Sequence, residues 1–112
     1  MTNNQIKNWK SKRKKWLIEK EPYCIFCGHF IGSHGQLAHK IRISESKEYE
    51  CMDLNTGLAH HQCHDIFDNN ITDAIEILPL FNDVMMDILL IDEAIFNKII
   101  LNLEKNNIPF NL

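Results

Sequence analysis

Two short pairs constrain this chain more than anything else in it: Cys24-x2-Cys27 and His60-x2-Cys63. Two intervening residues let a tight knuckle, or the first turn of a helix, aim both side chains at one point. A Cys3His set at that spacing is a standard tetrahedral zinc site. The chain has 112 residues, enough for a single domain, 1–112, with a modest core that a structural Zn²⁺ would staple. Cys51, His29, His34 and His61 remain alternatives to His60 as the fourth ligand. Cys51 fits the paired geometry less well and reads as core, and His29 and His34 lie in a Gly-rich loop and read as exposed.

The basic N-terminus is followed by neither an apolar h-region nor a small-residue cleavage site, so an intracellular, cytoplasmic protein is expected. Its four cysteines are then expected to be reduced, which favours metal over disulfides. The apolar stretch near the C-terminus is interrupted by Asp87, Asp92 and Glu93 and makes a poor membrane span.

A net charge of −3 conceals a strong asymmetry. Residues 1–20 hold Lys7, Lys10, Lys12, Arg13, Lys14, Lys15 and Lys20 against Glu19 alone, whereas residues 65–112 hold nine carboxylates against Lys98 and Lys105. A basic arm on an otherwise acidic chain points to a polyanion partner such as nucleic acid. The 45% hydrophobic content argues against disorder.

The segment 5–20 reads as a basic helix ended by Pro22, with Ile6, Trp9, Trp16 and Leu17 near one side, and its two tryptophans read as core anchors rather than base-stacking groups. Residues 22–36 are loop-like, and Gly28 after Cys27 suits a knuckle. "QLAHKIRI" alternates with period two and predicts a half-buried strand carrying His39, with "YECMDL" as its antiparallel partner. A short helix is predicted from Leu58 to about Asp68. The tail, 71–112, is helical, with Asp73 and Glu76 as a capping pair and Ile95, Ile99 and Leu103 on one face. These helices are expected to pack on the core, with a homodimer contact as the second reading.

The stretch "HHQCHDIFD", residues 60–68, holds more metal-capable side chains than one ion needs. His64 directly follows Cys63 and so points about 100° away from it. Asp68 lies at i+4 from His64, within reach of a shared ion, and His61 lies at i−3. Two sites on neighbouring faces of one helix account for the crowding.

"CIFCG", "LAHKI" and "LNTGLAHHQCHDIFD", taken in order, resemble the HNH endonuclease superfamily, particularly its compact zinc-containing, phage-type members. The resemblance covers about residues 22–70. It rests on Cys24 and Cys27, His39, Asn55, His60 with Cys63, and His64, with the family's nine-residue step from Asn55 to His64. It implies an α+β fold with a treble-clef-like ββα-metal core between the N-terminal basic helix (1–21) and the C-terminal helices. It also implies metal-dependent hydrolysis of DNA phosphodiester bonds. His39 would be the general base, Asn55 would orient it, and His64 would hold a catalytic Mg²⁺ or Mn²⁺ with Asp68. Lys12, Arg13, Lys14, Lys15, Lys40 and Arg42 would contact the DNA backbone. One departure stands out: Ala38 occupies the position where many members place an acidic or His ligand, leaving Asp68 and His61 as substitutes. The alternative is a non-catalytic, zinc-stabilised module that binds nucleic acid or protein.

Overall fold

The first helix begins earlier than its apolar pattern predicts. Thr2 and Gln5 form a reciprocal capping box, so α1 spans Asn3–Lys20, with orphan amides at its start satisfied by side chains. It ends immediately before the Glu21–Pro22 step, as the proline requires. The computed structural model describes all of residues 1–112. After α1 come a knuckle closed by an isolated bridge between Tyr23 and Phe30, then β1 (Gln36–His39), β2 (Thr56–Ala59) and α2 (His61–Asn69). The tail holds α3 (Ile71–Ile77), α4 (Phe81–Ile91) and α5 (Glu93–Lys105).

The two strands pair antiparallel, with Gln36 opposite Ala59 and His39 opposite Thr56. This corrects the expected pairing with "YECMDL", which forms turns of 3₁₀ helix at Lys47–Tyr49 and Asp53–Asn55. The physical reason lies in Asn55. Its Oδ1 accepts from the Ile41 amide at 2.7 Å, and its Nδ2 donates to the Ile41 carbonyl at 3.0 Å. A side chain has taken the ladder groups that a longer strand would have used, so β1 stops at His39 despite the alternation that continues to Ile43. The segment expected to be helical from Leu58 likewise begins as strand, and α2 starts only after His60.

Gly28 and Gly57 are required for different reasons. Gly28 has φ +81 in the knuckle, a conformation that disfavours a side chain. At Gly57, a Cβ would lie 2.3 Å from Ile25 Cγ2, so only glycine lets the knuckle sit against β2.

One core joins the knuckle and hairpin to the tail. Phe26, Ala38, Ile41, Ala59 and Phe67 pack with Phe81, Val84, Met85, Ile88 and Leu103. Within it, Phe26, Phe67, Phe81, Phe110 and Phe96 form a chain of ring contacts. Removing the ring of a fully buried residue such as Phe26 costs about 3–5 kcal/mol. The tail helices therefore pack on the core, as expected. Asn70, rather than Asp73 with Glu76, caps α3 by accepting from the Asp73 amide. Asp92 caps α5 and also accepts from the Tyr49 hydroxyl at 2.7 Å, which ties the loop after β1 to the tail. No helix is long and apolar enough to cross a membrane.

Candidate metal centre

The knuckle and the β2–α2 junction bring Cys24, Cys27, His60 and Cys63 together, with their ligand atoms all within 4.8 Å of one another. His60 presents Nδ1, at 3.4 Å from Cys27 Sγ and 4.0 Å from Cys63 Sγ. Ligands at zinc distances of roughly 2.0–2.3 Å on a tetrahedron are separated by about 3.3–3.8 Å, so the set fits that ion. Its electrostatics fit as well. Burial raises the Cys24 thiol, but the backbone amides of His60, Cys27 and Phe26 favour the thiolate, and the net result is a pKa of about 7. Cys63 is pushed up to about 12, first by burial and then by the charges of Cys24 and Cys27. Three sulfurs this close repel once ionised, and a divalent cation relieves that repulsion.

No alternative fourth ligand joins the cluster. His29, His34 and His61 are exposed. Cys51 is half-buried rather than part of the core, and burial followed by the Glu50 charge raises its thiol.

A second constellation lies beside this one. His64 Nε2 is 3.0 Å from Asp68 Oδ2, an i,i+4 pair at hydrogen-bonding distance. The other ring nitrogen, Nδ1, lies 2.8 Å from the Gln36 side-chain amide, and Phe26 stacks on the ring. Gln36 is a residue that sequence reading missed. Period two already put it on the strand face of Ala38, where its longer side chain reaches the helix that Ala38 cannot. His61 points to solvent and takes no part.

His39 is 7% exposed, and its Nε2 lies 2.9 Å from the Glu50 carbonyl. A carbonyl only accepts, so Nε2 carries the proton and Nδ1 keeps the lone pair. Burial lowers the His39 pKa below its ordinary 6.5, with Lys10 and His64 pushing the same way and the Glu50 carbonyl and carboxylate pushing against it. His64 is thus near enough for its charge to be felt at His39.

Asn55 is fully buried and donates to the Tyr49 carbonyl at 3.1 Å in addition to holding Ile41. It pins both ends of the loop that supplies the Glu50 carbonyl. Lys10, a second missed residue, grips that loop from α1 through a 2.6 Å pair with Glu50 and holds the Glu50 carboxyl below its usual range.

The expected backbone-contacting cations divide into two groups. Lys12 and Lys15 are exposed and Lys14 is half-buried. Arg13 donates to Thr56 Oγ1 and the Asp53 carbonyl. Lys40 pairs with Asp87 on α4 at 2.6 Å, and Arg42 donates to the Asp68 carbonyl at 2.7 Å. Searches of protein-family models, curated proteins and solved structures find no match to this chain. The class it defines is set by its own residues: a small α+β protein with a Cys3His cluster close enough to hold a metal ion, consistent with structural zinc.

Proposed function

We propose that the protein is a zinc-stapled, HNH-type endonuclease that hydrolyses DNA phosphodiester bonds. The observation that carries this reading is His39: a buried imidazole whose Nε2 is committed to the Glu50 carbonyl, leaving Nδ1 with the lone pair, and near enough to His64 for that residue's charge to be felt. A buried, neutral imidazole with one committed nitrogen suits a general base that takes a proton from an attacking water. His64 and Asp68 would hold the catalytic Mg²⁺ or Mn²⁺, which when bound supplies Lewis-acid stabilisation of charge on the phosphate and the leaving oxygen. Asn55 would act as a positioning residue, since it holds the loop whose carbonyl orients His39. Within this reading the core is the ββα-metal, treble-clef-like unit. The sequential order β1, β2, α2, with the Cys3His cluster at its base, supports that description. Phosphate contacts would fall mainly to Lys12, Lys14 and Lys15, because Arg13, Lys40 and Arg42 already have partners within the molecule.

The second reading, a non-catalytic zinc-stabilised module that binds nucleic acid or protein, draws on one specific observation. The His64 pair offers only two metal-capable side chains, and Ala38 and Gln36 stand where a third would be. Cleavage of supercoiled plasmid with Mg²⁺ and then Mn²⁺ separates the two. We expect the wild type to cut, and His39→Ala and His64→Ala to be inert while retaining their zinc. A zinc-loaded wild type that is inert on duplex, branched and single-stranded DNA would leave the binding-module reading in place.

A further inference from the structure

We infer that the face of α1 carrying Trp9 and Trp16 is a binding groove for unpaired DNA, so that the nucleic acid this protein engages contains a single-stranded segment. The inference rests on the nucleic-acid reading above and extends it from a charge pattern to a substrate form.

Trp9, Lys12, Arg13 and Trp16 fall at i, i+3, i+4 and i+7, one stripe of the helix. The structure places all four in the lining of a groove of about 760 Å³, together with Leu54, Thr56, Asp53 and Glu21. Trp16 is 44% exposed and Trp9 is half-buried. This overturns the expectation that the two rings are core anchors; of the apolar positions on that helix, only Leu17 is buried.

The Trp16 ring is held in place rather than loosely displayed. The Arg13 guanidinium lies 4.9 Å from the Trp16 ring centroid and is itself anchored on Thr56 and Asp53. Arg13 is therefore a clamp, and Lys12 is the free cation between the rings. Positions i and i+7 are about 10.5 Å apart along a helix. Rings at that distance suit two non-adjacent bases of an extended strand, with a backbone phosphate passing Lys12. Duplex DNA hides its base faces in the stack, whereas unpaired bases can lie on aromatic rings, and the surrounding lysines add a sequence-independent attraction. Asp53 lies 3.9 Å from Arg13, which offsets its repulsion of a phosphate. The lining also includes Lys40, which follows His39 in the chain, and Thr56, the strand partner of His39.

Trp9 and Trp16 are the chain's two tryptophans, so their fluorescence reports on this groove alone. The test titrates zinc-loaded protein, without added Mg²⁺ or Mn²⁺, with an oligothymidylate and with a blunt duplex of equal length. We expect the single strand to quench the fluorescence and to bind more tightly than the duplex. Trp16→Ala should weaken single-strand binding about ten-fold, while Trp16→Phe, which keeps a ring, should recover most of it. Zinc content and circular dichroism of each variant exclude misfolding. Duplex binding as tight as single-strand binding, or an unaltered single-strand affinity in Trp16→Ala, overturns the inference.

Plasmid cleavage by the same preparations keeps the two readings separable. Cutting without single-strand preference removes the groove assignment and leaves the nuclease. Quenching and single-strand preference without cutting support the groove and remove the catalysis.

Discussion

Cys63 and His64 are adjacent on α2, yet they belong to very different sites. Around Cys63, two chain segments converge and four ligand atoms fall within 4.8 Å. Around His64, one carboxylate lies at 3.0 Å and one amide at 2.8 Å, and no further metal-capable side chain completes a set. The first arrangement can enclose an ion; the second leaves positions open. Structural metal sites are closed, while catalytic ones keep a position for water or substrate. The contrast therefore teaches that a one-residue step along a helix is enough to place stability and proposed chemistry side by side.

The largest expected effect comes from breaking the closed site. Because metal binding at such a cluster is folding free energy, on the order of 10 kcal/mol, chelation or Cys63→Ala should unfold the core. Loss of the far-UV helical signal on chelation, restored by Zn²⁺, is the measurement. A chain that stays fully folded without metal would show that the aromatic core suffices and would erase the contrast.

The open site should behave oppositely. His39→Ala and His64→Ala are expected to retain zinc and fold while losing about 10²–10⁴-fold in cleavage rate. If either variant instead loses zinc, the two sites are not separable.

Asn55→Ala probes the support beneath the open site. It strips partners from the Ile41 amide and from the Ile41 and Tyr49 carbonyls, in a fully buried setting. A loss of about 3 kcal/mol in urea unfolding is expected, with cleavage falling as well because the Glu50 carbonyl is released. Unchanged stability would mean that water or a shifted loop replaces Asn55.

Charge reversal at Lys12 and Lys15, both exposed, should weaken DNA binding and lower the salt-dependence slope by about one for each phosphate that is no longer neutralised. An unchanged slope would move the DNA away from α1.

The smallest effect is the pH dependence that arises from His39. Burial holds its folded pKa below 6.5, so the unfolded chain takes up this proton first as pH falls. The associated stability is fully present above about pH 6.5, declines below it, and levels off beneath the folded pKa, with a limiting slope of about 1.4 kcal/mol per pH unit. Urea unfolding of wild type and His39→Gln across this range should differ in slope only below pH 6.5. Parallel curves would mean that His39 is not desolvated as the fold implies.

Several features were legible in the residues because they are local. The x2 spacing of both ligand pairs, the stop at Pro22 and the 100° step between Cys63 and His64 depend only on short-range geometry. The strand partner was not legible, because Asn55 reaches fourteen positions back to Ile41, a contact no period or propensity encodes. The role of Gln36 is not legible locally, because it depends on a helix that arrives much later in the chain. The periodicity of the tryptophans gives them a face without saying what lies opposite it.

By itself, then, the sequence determined the ligand chemistry, the basic and acidic halves, and the helical character of both ends. Those follow from residue type and spacing along a short stretch of backbone. Only the tertiary structure decided which residue caps which loop, which cations remain free, and that two strands of four residues each suffice to frame the site. Such outcomes depend on side chains distant in sequence competing for the same buried donors and acceptors, and that competition is resolved only when the chain is folded.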